Sequence, residues 1–344
     1  MIRLLLAAGV ALGVSLLGTQ FLIGWLTRHR IGQPIREDGP QGHVTKAGTP
    51  TMGGVAIVAG LLAGYVVSNL YRGIYTRTGI IVVLTIAGAG LVGLVDDWIK
   101  VSRERNLGLT KRAKLGGLLL VGGGFAAAML ALTEVHTELS FTRFDSIGID
   151  LGAGGWAVWA LLLILGSTNA VNLTDGLDGL AAGSAILAFA AFTVIGFWGF
   201  RNPEVYDITH ALDLAVVAAA MLGACAGFLW WNAAPAQIFM GDTGSLAIGA
   251  GLATLALGTN THLLLPIIGG LYVMETVSVI LQVGSFRLTG NRIFRMAPIH
   301  HHFELGGWPE TTVIVRFWLL AGLATALAMG LFYADFIGTG AIDR

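Results

Sequence analysis

Charge is scarce in this chain of 344 residues. Only 12% are Asp, Glu, Lys or Arg, and twenty basic side chains cancel twenty acidic ones. An ordinary soluble domain carries about 25%. A net charge of zero removes the basic footprint that nucleic-acid binding relies on. Cysteine is almost missing: Cys225 stands alone inside an apolar run, so no intrachain disulfide can form. Proline occurs only eight times.

The chain has hydrophobic length instead. Apolar residues make up 55% and the mean hydropathy is +0.77. Crossing about 30 Å of hydrocarbon takes roughly 20 apolar residues in a helix. Ten such runs lie near 2–27, 51–70, 79–95, 115–133, 154–172, 180–200, 211–230, 245–260, 262–284 and 311–334. The expected fold is therefore an all-α integral membrane protein of about ten transmembrane helices, one polytopic domain over 1–344. Residues 1–27 read as a retained first span. A positive leader region is nearly absent, and no convincing small-x-small cleavage site precedes Thr27. Glycine, 50 residues, suits close helix packing in lipid, and Gly9/Gly13, Gly60/Gly64 and Gly223/Gly227 have small-xxx-small spacing.

Basic residues set the expected orientation. One set of loops holds thirteen: Arg28, Arg30, Arg36, Lys46, Lys100, Arg103, Arg105, Lys111, Arg112, Lys114, Arg287, Arg292 and Arg295. The other side holds Arg3, Arg72, Arg77, Arg143, Arg201 and Arg344, with Arg316 at a span edge. Lys/Arg excess marks the cytoplasm, so both termini are expected outside. Cytoplasmic loops near 28–50, 96–114, 173–179, 231–244 and 285–310 then form one active face. On the outer side, the alternation over Thr137–Leu151 predicts a small external β-hairpin.

Acidic residues gather at the cytoplasmic ends of these spans, where an ionisable group is a functional candidate by default. Asn169, Asn172, Asp175 and Asp178 advance by three residues, close to one helical turn each, as a polar ridge. Buried polar glue between helices is the plainer alternative. Asp96 and Asp97 are adjacent, so they cannot face the same way and are expected to do different jobs. A surface pair of Asp97 with Lys100 is the alternative there. Asp242 sits in Gly241-Asp-Thr-Gly-Ser245 at the start of the eighth run, as a helix cap or as an oxygen ligand for Mg²⁺.

His300-His301-His302 follows Pro298. Three consecutive histidines cannot converge on one metal, so donors to a phosphate or sugar fit better than a zinc site. Lys46-Ala-Gly-Thr-Pro-Thr51-Met-Gly-Gly54 leads into the second run without Walker spacing, and its Gly-rich helix start can present amides to an anion. Acids able to hold Mg²⁺, lysines and such a helix start on one membrane face point to phosphoryl chemistry on a lipid-borne acceptor.

Five strings carry a resemblance: Lys46–Val55, Asp96-Asp-Trp-Ile-Lys100, Asn169–Leu180, Phe228–Leu246 and Pro298–Pro309. Together they resemble the polyprenyl-phosphate N-acetylhexosamine-1-phosphate transferases, over most of the chain and in the expected order. The Pro298–Pro309 string favours the branch that takes a muramoyl donor. The resemblance implies a ten-helix enzyme of the bacterial cytoplasmic membrane, often dimeric and requiring Mg²⁺, with its active site facing the cytoplasm. It implies transfer of phospho-MurNAc-pentapeptide from UDP-MurNAc-pentapeptide to undecaprenyl phosphate, with release of UMP.

Carried over by motif, the catalytic residues would be Asp96, Asp97 and Asp242. Asp242 would bind Mg²⁺, and Asp97 would be the usual candidate base. Asp175, Asp178 and Asn172 would lie at the nucleotide end, with Asn232 and Phe239 around the uracil. Lys46, Thr51, Lys100, Lys114 and His300, His301 and His302 would position phosphates and sugar. A sibling taking UDP-GlcNAc would share the acids but not Pro298–Pro309. A transporter would place its acids mid-membrane, often in repeated halves, and the chain shows no internal repeat.

Overall fold

The computed structural model describes residues 1–29, 32, 48–71, 75–103 and 107–340, so Lys46 lies outside the described residues. Among the described residues, ten helices of 17 residues or more overlap the ten apolar runs. They are α1 (Ile2–Arg28), α2 (Gly54–Leu70), α3 (Arg77–Ser102), α4 (Lys111–Leu132), α5 (Gly152–Thr174), α6 (Leu180–Arg201), α8 (Ala211–Asn232), α9 (Gly241–Gly258), α11 (Gly270–Thr289) and α13 (Glu310–Gly338). Three short helices join them: α7 (Pro203–Tyr206), α10 (Leu265–Ile268) and α12 (Ile299–Glu304).

Eight of these helices are long and apolar enough to cross a membrane, which marks the chain as a multi-pass membrane protein. The exceptions are α2 and α9, at 17 and 18 residues. At 1.5 Å per residue both reach about 25–27 Å; α9 is buried from Asp242 to Leu257 inside the bundle, whereas α2 keeps Leu62, Val66 and Val67 exposed on one face.

Small residues set the packing. A Cβ at Gly223 would stand 2.1 Å from the Ala8 carbonyl oxygen, and one at Gly227 would stand 2.5 Å from that of Leu12. α1 therefore lies directly on α8, and Gly60 and Gly64 bring α2 equally close to Ala11 and Ala7 of α1. Gly9 and Gly13 differ from expectation: nothing lies within 4 Å of where their side chains would begin. They face outward although their spacing matches.

Two expectations need correction. The ninth run was expected over 262–284, but the chain between Gly258 and Gly270 forms a buried loop and the four-residue α10. Asn260, Thr261 and His262 are all buried there. The hydroxyls of Thr259 and Thr261 bond each other at 2.8 Å, so local polar pairing replaces a helical ladder. Asp96 and Asp97 were expected in a loop, but α3 continues through them to Ser102.

The expected hairpin exists in reduced form. Glu138–Leu139 (β1) and Ile149–Asp150 (β2) pair antiparallel, Glu138 opposite Asp150. At the same end of the bundle, Asp213 of α8 accepts from Arg3 at 2.7 Å, Tyr65 at 2.8 Å and Thr76 at 2.6 Å. Arg3 also bonds Asn69. Asp335, near the end of α13, takes Arg143 at 3.0 Å and Thr142 at 2.8 Å. The start of α1 and the end of α13 therefore sit at the hairpin end. The C-terminal ends of α3 and α5 and the N-terminal ends of α4 and α9 meet at the opposite end.

Candidate active site

That opposite end holds the acids. Asp96, Asp97 and Asp242 each offer an oxygen within 4.8 Å of the others, and all three are buried. Helix periodicity explains the first half of the cluster: Asp96 and Lys100 are one turn apart on α3, with Nζ 2.6 Å from Asp96 Oδ2. The same ammonium lies 3.1 Å from Asp242 Oδ2 and 3.6 Å from Asp97 Oδ1. Lys114, in the first turn of α4, donates to Asp242 Oδ2 at 2.5 Å. Asn172 of α5 donates to Asp242 Oδ1 at 2.7 Å and to Ser245 at 2.9 Å.

Asp97 has a distinct task. Its Oδ1 accepts from the Asp242 amide at 3.0 Å. Its Oδ2 accepts from the Thr243 amide at 2.9 Å and the Thr243 hydroxyl at 2.7 Å. The first amides of a helix have no partner of their own and are usually capped by the preceding residue. Here the cap comes from α3, so one carboxylate ties two helices together and aims Asp242. Gly241 permits it: its φ is +73°, and a Cβ there would stand 2.5 Å from Asp97 Oδ2.

Three carboxylates face two ammonium groups, which leaves a negative charge unmatched. Asp96 Oδ1 accepts from the Leu109 amide at 2.8 Å, while Oδ2 is buried with no hydrogen bond, only the ion-pair contact to Lys100. All-oxygen donors with a spare buried lone pair suit a hard divalent cation such as Mg²⁺, which prefers carboxylate and water to imidazole or thiolate.

The polar ridge expected over 169–178 divides. Asn169 is exposed and bonds back to Leu165 at 2.7 Å, so only Asn172 reaches the cluster from the helix. Asp175 caps the C-terminus of α5 and Asp178 lies in the turn beyond it. Burial, then the charges of Asp242, Asp97 and Asp178, push the Asp175 carboxyl up to about 8, against the opposing pull of Lys100. Asp178 accepts from the Ala236 amide at 2.9 Å, and its own amide donates to Glu310 at 3.1 Å.

Asn232 is 2% exposed. Its amide is spent on the backbone, accepting from Gly179 at 3.1 Å and donating to the Ile238 carbonyl at 2.9 Å. It fastens the 175–179 turn to the 233–240 loop. Phe239 is half-buried. Its amide donates to Pro50 at 2.8 Å and its carbonyl accepts from Gly53 at 2.9 Å, which sets the buried Thr51 beside that loop.

The histidines diverge. His300 is fully buried, with Nδ1 3.1 Å from Glu275 Oε2. His301 Nδ1 lies 2.7 Å from Glu304 Oε2, and His302 Nδ1 accepts from the Arg295 amide at 3.1 Å. Sequence reasoning singled out neither Glu275 nor Glu310. For Glu275 the signal was available: it is the lone acid in the apolar stretch Gly270–Gln282. Glu310 had only its place at the start of a helix.

Known proteins match this chain along almost all of it. A family model described as glycosyl transferase family 4 matches residues 79–260, which include every clustered acid. The phospho-N-acetylmuramoyl-pentapeptide-transferase signature 1 matches residues 46–58. The phospho-N-acetylmuramoyl-pentapeptide-transferase of Frankia alni is 50% identical, over 98% of this chain and 98% of that protein. Its counterpart in Thermobifida fusca is 51% identical over 98% and 99%. That of Streptomyces griseus is 49% identical over 96% and 98%.

Proposed function

Since the chain belongs to the phospho-N-acetylmuramoyl-pentapeptide-transferases, we propose that it moves phospho-MurNAc-pentapeptide from UDP-MurNAc-pentapeptide to undecaprenyl phosphate. The products are UMP and lipid I, in the first membrane step of peptidoglycan synthesis. The observation that carries the reading is the cluster itself: Asp96, Asp97 and Asp242 with Lys100 and Lys114 at one end of an apolar bundle. A phosphate brought by a lipid and a diphosphate brought from the cytosol can meet there. The proposal includes ten crossings of the bacterial cytoplasmic membrane, both termini outside, the cluster facing the cytoplasm, and a homodimer.

The reaction forms one phosphorus–oxygen bond and breaks another. An oxygen of the lipid phosphate attacks the sugar-proximal phosphorus, and UMP departs in line with the electron pair of the broken bond. A phosphate monoester has a second pKa near about 6, so at neutral pH the attacking oxygen is already ionised and needs no general base. Asp97 is poorly suited to that office in any case, because both its oxygens already hold α9. The same engagement disfavours a covalent aspartyl intermediate at Asp97.

Asp242 and Asp96 would hold Mg²⁺, which when bound supplies charge neutralisation for the diphosphate and the leaving UMP. Asn172 fixes the rotamer of Asp242. Lys100 and Lys114 lie against Asp242 and are long enough to turn towards phosphate oxygens. Burial favours the protonated form of Asp175, which would offer an O–H donor to the nucleotide end without adding a charge that repels a diphosphate. Asp178, Asn232, Phe239 and Thr51 frame that end. Lys46, His301 and His302 would act on phosphates and sugar, while His300, fully buried against Gly176, would act through the turn it packs on.

UMP release by detergent-purified protein tests the reading. Release should require UDP-MurNAc-pentapeptide, undecaprenyl phosphate and Mg²⁺, and should fall at least about a thousandfold in Asp242→Asn, several kcal/mol of transition-state stabilisation. Release with UDP-GlcNAc alone would move the protein to the sibling branch. A phospho-enzyme trapped without the lipid would replace direct attack with the covalent route.

A further inference from the structure

Glu275 lies in an apolar stretch of α11, a helix able to span a membrane, and its side chain is 0% exposed. A carboxylate at such a position is costly to insert, so something must hold it. Its neighbour is His300, equally buried, on the separate element α12. The ring nitrogen that faces the carboxylate is Nδ1, 3.1 Å from Oε2.

The other side of the ring faces elsewhere. A Cβ at Gly176 would stand 2.4 Å from His300 Nε2 and 3.0 Å from Cε1. The imidazole edge therefore rests on the backbone of Gly176, between Asp175 and Asp178. Nε2, like Nδ1 and both Glu275 oxygens, is buried without a hydrogen bond among the described residues, so the 3.1 Å contact of Nδ1 with Oε2 is what joins the two side chains. Leu177 of that turn packs with Ile299 and Phe303 of α12. The far end of the turn is tied down by Asn232 and Ala236, but its near end leans on α12 and on this ring.

We propose that Glu275 is a positioning residue for the donor, acting through His300. It holds the imidazole against Gly176, and so sets the height of the turn from which Asp175 and Asp178 meet the nucleotide end. The inference rests on the proposed function, in which that turn receives UDP-MurNAc-pentapeptide. Glu275 itself stays away from the substrate. Loss of the pair should therefore weaken binding of one substrate and leave the other alone.

The test uses full-length purified protein, equilibrium binding of UDP-MurNAc-pentapeptide, and KM for each substrate. Outer-layer partners that orient a working side chain typically contribute about 10–100-fold. Glu275→Gln is expected to raise the donor Kd and donor KM about tenfold, while the KM for undecaprenyl phosphate stays within about twofold. In a His300→Ala background the same substitution should add less than about twofold, because its effect already runs through the missing ring. Unchanged donor affinity in Glu275→Gln, equal penalties in both backgrounds, or parallel loss for both substrates would each overturn the proposal.

Should Glu275→Gln fail to fold, His300→Asn decides. It offers an N–H to Glu275 and loses only the contact with Gly176. A donor-selective loss is then expected, and wild-type donor affinity would sink the idea. Wild-type protein that neither binds nor turns over the muramoyl donor would overturn the functional reading, and this inference with it.

Discussion

Asp97 separates two accounts of the chemistry. A general base must keep a lone pair free for the proton it takes, whereas a cap spends its lone pairs on amides. With three of its roughly four lone-pair sites taken by the Asp242 amide and the Thr243 amide and hydroxyl, Asp97 acts here as a cap. Asp97→Asn, which can turn only one accepting oxygen towards α9, should lose more than about a hundredfold in kcat through misplaced Asp242, given that small misplacements of reacting groups cost about that much. The loss should be the same from pH 6.5 to pH 9. Recovery of rate at high pH would identify a base instead.

Asp175 makes a second prediction at this scale. Its carboxyl is raised from 3.8 to about 8 in the folded protein. A raised pKa gives stability that is complete below the unfolded value and fades as pH climbs through the folded one. Wild-type protein should therefore lose thermal midpoint relative to Asp175→Asn between about pH 5 and pH 8, and the gap should level off above that. Midpoints measured in detergent across this range would check it. A constant offset would mean that the carboxyl ionises at its ordinary pH.

Among the elements, α9 depends most on its neighbours. A Cβ at Gly54 would stand 2.0 Å from the Gly244 amide nitrogen, and one at Gly93 would stand 2.2 Å from the Asp242 carbonyl. The starts of α2 and α9 and the end of α3 thus meet backbone to backbone. Gly93→Ala should lower the midpoint and reduce kcat together, whereas Gly13→Ala, which meets nothing within 4 Å, should change neither. Paired thermal and UMP-release measurements would show it.

These contrasts mark what could be read from the sequence. Apolar run length placed all ten long helices, because spanning lipid constrains length so strongly. Spacing alone treated Gly9 and Gly60 alike, since it says which residues share a helix face and nothing of what that face meets. The acids were legible as members of one face. The role of Asp97 as cap for a helix some 145 residues away was not, for caps are recognisable in sequence only when local. The broken ninth run escaped for a similar reason: hydropathy does not register a buried turn, even one that carries Asn260, Thr261 and His262.

For the whole molecule, the near-absence of cysteine is an experimental asset. Cys225 is fully buried, so a membrane-impermeant maleimide should leave the parent chain unlabelled. A cysteine introduced at Leu288, 87% exposed beyond the cluster end of the bundle, should label only in inverted vesicles. One introduced at Asp145, beside the external hairpin, should label only in intact cells or right-side-out vesicles. The reverse pattern would invert the proposed orientation, and labelling of both from one side would change the number of crossings.

The cross-helix cap also bears on how the protein is made. Asp96, Asp97 and Lys100 leave the ribosome well before Asp242 exists, so a growing chain carries two buried-to-be acids and one lysine with α9 still missing. Neither a complete cation site nor a settled end for α3 is available until the eighth long helix has been synthesised and inserted. Truncation within the last third of the chain therefore cannot leave a weakened enzyme behind if it removes α9. It leaves an unfinished membrane protein with exposed charge at its rim, the kind of species that membrane quality-control proteases can tell from a finished one.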